Sequence, residues 1–337
     1  MRFAIDIMGG DNAPQEIIDG VLLAAAKYPE RQYIMVGKNE VLQNLGKLPA
    51  NISTVSAASV MAMEESVENL MSKKDSSIWV ATKLVKDKAA DAIISAGSTG
   101  AQMAAALLLL GRIKGINRPA ILGILPTARG KKLFLDMGAN SVCTADMLYQ
   151  FAVMGDIYGR LFLDMEKPQI ALLSNGTEAG KGNELTQAAY QLLADSDLNF
   201  IGNKEGRDLP EGNYDVLVTD GFTGNVALKT LEGTVKMILD LLKDELTSGL
   251  TRKMGAALIK PGLMNIKKKM DHSEQGGAPL LGVKGLSIIC HGSSQAKAIA
   301  NALDVAANCL QRDFIGQIKQ AMGIESDKII DKIVDND

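Results

Sequence analysis

The chain has little of what most catalytic centres are built from. Its 337 residues include only two histidines, His272 and His291, which excludes a histidine-rich metal centre. Cys143, Cys290 and Cys309 are scattered, form no CxxC pair and leave one unpaired, as structural thiols in a reducing compartment would. Aromatic residues make up 4% and the net charge is −3, which leaves nucleic acid few stacking platforms and no electrostatic footprint. No apolar run is long enough to span a bilayer; the best candidate, residues 104–110, is too short. The opening MRFAIDI reads as a strand and lacks the apolar region of a signal peptide, so a cytoplasmic location is expected.

What is present is ordinary for a globular protein: 47% hydrophobic and 22% charged residues. At this length we expect one large α/β unit with an elaboration, or two closely interleaved lobes. Short apolar strands are predicted at 3–7, 33–36, 52–55, 92–95, 120–125, 132–135, 169–173, 199–202, 216–219 and 286–290. Helical patterns fall between them, at 63–71, 78–88, 102–110 and 145–161 among others, the third so apolar that it should lie inside the fold or in an interface. This alternation argues for an α/β fold with a mostly parallel sheet covered on both faces.

The stretch VLVTDGFTGNVALKTLEG, 216–233, is the most informative: a strand, a glycine-bearing loop and a helix start. Ligands of open α/β sheets bind beyond the strand ends, and glycines there permit close backbone approach. Five predicted strand ends share this chemistry, at 8–12, 95–101, 136–140, 175–183 and 220–225, which points to a shared crevice for a phosphate or a developing oxyanion. The substrate-binding candidates are Asp6, Gly9, Gly10, Asp11, Asn12, Gly97, Ser98, Thr99, Gly100, Asn140, Asp220, Gly221, Phe222, Thr223, Gly224 and Lys229. The plainer reading makes Asp220 and Thr223 helix caps only.

Lys181 could hold an anion, and Asn225, four residues before Lys229, shares its helix face. His291, between an apolar strand and a polar loop, could donate to a substrate oxygen or be a satisfied core histidine. Asp6, Asp11, Asp136 and Asp220 could ligate Mg²⁺, but aspartates at strand ends more often brace loops, and no metal is expected. GTEAGKG at 176–182 is one residue short of a P-loop and lacks its Ser/Thr, and GSTG at 97–100 lacks the dinucleotide fingerprint.

Between 249 and 270 the chain becomes basic and apolar. Arg252, Lys253, Lys260, Lys267, Lys268 and Lys269 occur without an acidic residue, among Leu250, Met254, Ala257, Leu258, Leu263, Met264 and Ile266. Two short amphipathic helices meeting at Pro261-Gly262 would present apolar groups at a tip ringed by lysines. That suits an anionic membrane surface or an acidic carrier, or else a dimerisation arm.

Taken together, DIMGGDNAP (6–14), SAGSTGA (95–101), GRIKGINRP (111–119), DMGAN (136–140), KGNE (181–184), DGFTGN (220–225), GGAPLLG (276–282) and HGSS (291–294) resemble the PlsX phosphate acyltransferase family over essentially the whole chain. The resemblance implies one domain over 1–337, a three-layer α/β/α sandwich like isocitrate and isopropylmalate dehydrogenases and related to phosphotransacetylases. It also implies a protruding helical hairpin at about 245–272, a homodimer, and peripheral attachment to the inner face of the cytoplasmic membrane. The implied reaction moves a fatty acyl group from acyl carrier protein to inorganic phosphate without a cofactor, and a glycerol-3-phosphate acyltransferase would use the product. The catalytic expectation falls on Lys181, Asn225 and His291, and contact with membrane or carrier on Leu250, Arg252, Lys253, Met254, Ala257, Leu258, Leu263 and Lys267. The sequence departs from the family pattern at Ser98 and Ser174, where asparagine is expected, and at Val142, where aspartate is. The competing readings are a phosphotransacetylase acting on acyl-CoA, a decarboxylating dehydrogenase, whose metal and nicotinamide patterns are missing, and a non-catalytic membrane-associated binding protein.

Overall fold

The structure, a computed structural model, describes residues 1–270 and 276–323, with the side chains of residues 250, 251, 254, 257 and 265–270 outside the description. The chain begins with β1 (Arg2–Asp6), α1 (Gln15–Lys27), β2 (Gln32–Lys38), α2 (Asn39–Leu42), β3 (Ile52–Ala57), α3 (Ser77–Lys86), β4 (Ala92–Ser95) and α4 (Thr99–Ala105). It continues through β5 (Ala120–Ile121), β6 (Gly123–Thr127), β7 (Gly130–Leu135), α5 (Ala145–Phe162), β8 (Ile170–Leu173), α6 (Glu184–Ala194), β9 (Phe200–Lys204) and β10 (Val216–Val218). The remainder is α7 (Gly221–Thr247), α8 (Leu250–Met270), β11 (Ala278–Leu281), β12 (Leu286–Ile289), α9 (Ala296–Gln311) and α10 (Phe314–Ala321).

These strands form two sheets, ordered β3-β2-β1-β4-β12-β11-β5 and β6-β7-β10-β8-β9. Both are parallel except where they border each other: β5, β6 and β11 pair antiparallel. The single strand expected at 120–125 is therefore two edge strands, and Leu122 alone carries the chain from one sheet to the other. Geometry forces the break. Ile121 N–H turns to the Asp136 carboxylate at 3.0 Å, and a Cβ at Gly123 would lie 1.9 Å from Met137 Sδ.

Side chains alternate across each sheet, and both faces are covered. In the first sheet Phe3, Ile5 and Ile94 join a core shared with α1 and α9, while Ala4, Val36 and Ile93 pack with Ile78 and Trp79 of α3 and Ala101 of α4. In the second, Leu133, Leu135, Ile170, Leu172 and Val216 extend the first core through α5 and α6. Phe134, Ala171 and Leu217 face Tyr214 and Leu228 of α7. The contents of β4, β8 and β12 are wholly buried, as expected for strands covered twice.

Three local expectations change. Of the helix expected at 63–71, only Val67–Met71 is helical, as a 3₁₀ turn capped by Ser66. The apolar 102–110 run is the end of α4 followed by a π turn, Ala106–Leu110, and Leu108 is 54% exposed. In the hairpin, the chain reverses at Ser248 and Gly249, not at Pro261-Gly262; α8 runs straight through Pro261. Lys253 N–H already bonds Gly249 O at 2.9 Å, so α8 starts at once. A proline deletes one backbone hydrogen bond, which solvent around an exposed helix can replace. Past Leu228 no described residue of α7 is buried. No helix among the described residues is long and apolar enough to cross a membrane.

A close helix-to-sheet approach supplies a test of this packing. A Cβ at Gly155 in α5 would lie 2.5 Å from Val216 Cγ1 and 3.0 Å from Leu135 Cδ1, whereas nothing stands within 4 Å at Gly180. Gly155→Ala should lower the unfolding free energy by about 1–3 kcal/mol despite its better helix propensity. Gly180→Ala should stay within about 0.5 kcal/mol of the parent. Urea denaturation of both proteins distinguishes the two outcomes.

Candidate functional site

In a parallel sheet every strand points the same way, so the loops that follow the strands gather on one edge. The first group follows β1, β4 and β12, where Asp6, Ser95 and Ile289 stand side by side in register. Asp6 is buried and accepts Ser95 Oγ–H at 2.8 Å and Met8 N–H at 3.1 Å. Burial raises its carboxyl above the usual range, and these hydrogen bonds oppose the rise. Ser95 Oγ in turn accepts Gly97 N–H at 3.0 Å. A Cβ at Gly9 would stand 2.6 Å from Gly97 N and 2.8 Å from Asp6 Oδ2, so the glycine lets two loops touch backbone to backbone. Gly10, at φ +112°, turns the chain so that Asp11 N–H reaches Gly292 O at 2.8 Å. Asn12 Nδ2 donates to Ser293 O at 3.1 Å, and His291 Nδ1 lies 2.8 Å from Ser293 Oγ. Ser98, buried, caps α4 by accepting Ala101 N–H; Thr99 is exposed and Gly100 half-buried.

The second group follows β7, β8 and β10. Asp136, fully buried, accepts five N–H donors: Ile121, Gly138 and Ala139 at Oδ1, and the Asn140 main and side chains at Oδ2. Burial again raises its carboxyl, yet every partner is a donor, so the ionised form fits. Asn140 Nδ2 also donates to Pro119 O, and Asn140 O accepts Gly221 N–H at 2.8 Å. A Cβ at Gly224 would meet Asp136 O at 2.0 Å, and one at Gly221 would meet Asn140 O at 2.7 Å. Asp220 caps α7 through Thr223 N–H at 2.9 Å. After β8, Asn183 caps α6 through Thr186 N–H at 3.0 Å, and Lys181 is exposed.

The two groups share a floor. Met137 and Ala139 of the second pack on the same apolar cluster as Met103 of α4, and that cluster includes Ile121, Leu280 and Ile289.

The expected residues thus divide. Asp6, Gly9, Gly10, Gly97, Asn140, Gly221 and Gly224 serve mainly to lock strand-end loops to each other, and Ser98 and Asp220 cap the helices that follow them; the glycines permit loop-to-loop approach where the sequence suggested approach to a ligand. Asp6 and Asp136, offered as Mg²⁺ ligands, are engaged by N–H and O–H donors instead. Lys229 is held by Glu232 at 2.8 Å, one turn along α7, and is not a free cation of the crevice. The expected residues that reach solvent are Asp11, Asn12, Thr99, Lys181, Phe222, Thr223, Asn225 and His291, with the paired Lys229. Lys181 and Asn225 follow neighbouring parallel strands, β8 and β10, with Asn225 beside Gly138, whereas His291 follows β12 in the other sheet. Among the described residues no three His, Cys, Asp or Glu side chains converge as metal ligands would.

Two residues outside the expected set belong here. Ser95 braces Asp6 and Gly97, and its only sequence signal was its place in the 95–101 motif. Ser174 has a buried Oγ without a hydrogen-bond partner among the described residues, beside Gly182 and the Lys181 loop. It was visible only as a departure from the family pattern; Val142, another departure, is 85% exposed. The thiols are poor nucleophiles: burial pushes Cys143, Cys290 and Cys309 each up to about 12.

Asp136→Asn would turn an NH₂ group towards N–H donors at one of the two carboxylate oxygens. It should lower the unfolding free energy by about 2–4 kcal/mol. Asp220→Asn, which retains a capping oxygen, should change it by less than about 0.5 kcal/mol. Denaturant melts of the two variants check the difference.

The family model described as "Fatty acid synthesis protein" matches residues 1–317. "Phosphate acyltransferase" from Desulfitobacterium hafniense is 52% identical over 327 residues, covering 96% of this chain and 98% of that protein. The protein of the same name from Thermoanaerobacter pseudethanolicus is 48% identical over 330 residues, covering 98% and 99%. Among solved structures, a phosphotransacetylase from Streptococcus pyogenes superposes with a TM-score of 0.60 at 18% identity, covering 93% of this chain and 94% of that one. A branched-chain phosphotransacylase from Enterococcus faecalis gives 0.57 at 16%, covering 91% and 98%. At such low identity these two speak for the fold alone. The family match and the near-full-length relatives lead to one conclusion: the chain belongs to the fatty acid synthesis protein family.

Proposed function

We propose that this chain is a phosphate acyltransferase, which moves a long-chain fatty acyl group from acyl carrier protein to inorganic phosphate. The observation that carries this reading is that relatives 52% and 48% identical over nearly their whole length are named phosphate acyltransferase. The site's chemistry agrees. A phosphate oxygen attacks the thioester carbonyl, the carbonyl electrons move onto oxygen, and collapse of this tetrahedral species breaks the carbon–sulfur bond. Acyl phosphate and carrier thiolate result, and the thiolate takes up a proton. Such a reaction needs positioned anions and a stabilised oxyanion more than a covalent nucleophile. Exposed polar groups on braced loops and unreactive buried thiols suit it.

In this reading Lys181, with the unpartnered Ser174 hydroxyl nearby, holds phosphate at the end of β8. The Asn225 amide, on the first turns of α7, donates to the oxyanion. His291 stands by as a proton donor to the leaving sulfur, oriented by Ser293. Asp11, Asn12, Thr99, Phe222 and Thr223 line the approach, and the buried aspartates and glycines hold the loops still. No cofactor is called for.

The hairpin gives the reaction a place. Leu258 is 84% exposed and Met264 61%, and Lys253 and Lys260 are solvated beside them. Arg252 is already paired with Glu245 of α7, so fewer charges are free than the basic run suggested. Leu263 is half-buried, and the side chains of Leu250, Met254, Ala257 and Lys267 lie outside the described residues. We read α8 as the contact with an anionic membrane or with the acidic carrier. The exposed Met237, Ile238, Leu241 and Leu242 of α7 support a homodimer through the hairpin. The protein would then work at the cytoplasmic face of the membrane, passing acyl phosphate to a glycerol-3-phosphate acyltransferase.

Palmitoyl–acyl carrier protein and labelled phosphate should yield acyl phosphate, and Lys181→Ala should cut kcat/KM for phosphate by about 100-fold. Product from palmitoyl-CoA alone would indicate a phosphotransacetylase-like enzyme, and none from either donor a binding protein; near-normal turnover would remove Lys181 from the site. In sedimentation with anionic liposomes, Leu258→Glu should reduce the bound fraction at least about tenfold. Equal binding by parent and variant would take the membrane contact away from α8.

A further inference from the structure

Parallel strands that end at the glycine-rich loops begin at the other edge of the sheet. There, where β1, β4 and β12 start, lies an open groove of about 570 Å³, within the roughly 300–1,000 Å³ range of small-molecule sites. It is outside the crevice described above. Val85 of α3, Leu110 of the π turn, Leu286 of β12, Leu310 of α9 and Ile315 of α10 make its walls apolar. Arg2, Lys86, Lys88 and Lys284 stand around them.

The charge is one-sided. Asp91 is the only acidic residue lining the groove among the described residues, and Arg2 already neutralises it at 3.2 Å. The ammonium groups of Lys86, Lys88 and Lys284 have no partner among the described residues. Three free cations beside an apolar trough fit a ligand with the opposite design, an anionic head on an aliphatic chain. A neutral apolar ligand would leave the cations unused, and a small anion would leave the trough unfilled.

Local structure keeps the trough empty of protein. At Gly285 a Cβ would come within 3.0 Å of Leu110 Cδ1 and 3.1 Å of Val85 Cγ1, so even a small side chain would fill the floor. Lys88 adopts φ +57°, and its carbonyl is tied to Arg2 Nη2 at 2.7 Å, which fixes the turn from α3 into β4 at the rim. The π turn that contributes Leu110 is an irregularity frequent at functional sites.

We propose that this groove binds one molecule of a single-chain anionic amphiphile, a long-chain carboxylate or acyl phosphate. Its chain lies along Leu110, Leu310 and Ile315, and its head sits among Lys86, Lys88 and Lys284. The site does not depend on the acyl-transfer reading, because it uses none of the strand-end loops. If that reading also holds, the groove would let the end products of fatty acyl metabolism bind an enzyme that consumes acyl groups, at a distance from its chemistry.

The test uses the full chain and a fluorescent polyene fatty acid, kept below its micellar concentration and displaced by palmitate or by hexadecanol. Palmitate should displace it at least about tenfold more effectively than the alcohol, and Lys86→Glu/Lys284→Glu should weaken binding by at least about tenfold. Both lysines are exposed, so the variant should fold; Lys47→Glu, an exposed charge reversal outside the groove, should bind as the parent does. Unchanged binding by the charge-reversed chain, or equal displacement by palmitate and alcohol, would overturn the proposal. Loss of binding in Lys181→Ala would move the ligand to the strand-end loops. Binding only after removal of residues 324–337, which are acidic and rich in isoleucine, would give the groove to that segment.

Discussion

The structure turns on one buried carboxylate. Asp136 leaves the second sheet at the end of β7, and its donors include Ile121 of the first sheet and the main and side chains of Asn140. Asn140 passes the connection on to Gly221 at the start of α7. A buried carboxylate is tolerable only when donors surround it, and these donors come from β5 of the first sheet and from the loop that follows β7 of the second. The seam at Leu122, the close approach of Gly224 to the Asp136 carbonyl and the seating of α7 all follow from that requirement.

A rigid frame of this kind explains the division of labour in the site. Asp6 and Ser95 do for the loops after β1 and β4 what Asp136 does for those after β7 and β10. Once the loops are locked, small exposed groups such as Asn225 and His291 are held in place without belonging to any packed core. Acyl transfer to phosphate asks for fixed donors around a charged transition state, and fixed donors come from braced backbone. The hairpin answers a different demand. Its two helices leave the body of the fold past Leu228, and apolar side chains such as Met237, Leu241 and Leu258 stay exposed because no part of the described chain covers them.

Much of the fold was legible because its signals are local. Alternating apolar strands and glycine-rich strand ends announced a doubly covered parallel sheet, and the run from 216 to 233 gave β10, the Asp220 cap and α7 in order. Other features depended on distant partners. Nothing within 120–125 reveals that Leu122 changes sheets, because the cause is the Asp136 carboxylate and the Met137 side chain. Pro261 looked like the hairpin tip because a local rule was applied to an exposed helix, where solvent can satisfy what proline leaves open.

The sequence by itself determined the fold class, the family, the strand-end loops that form the candidate site and the residue types available there. Those follow from periodicity, from turn chemistry and from motifs that keep their order along the chain. Only the tertiary structure decided which glycines meet another loop, which aspartates are buried braces and that Lys229 is already paired. It also decided that Ser174 lacks a partner and that an apolar groove with free cations lies at the far end of the strands. Each of these depends on which groups distant in sequence are brought within a few ångströms, and packing alone sets those distances.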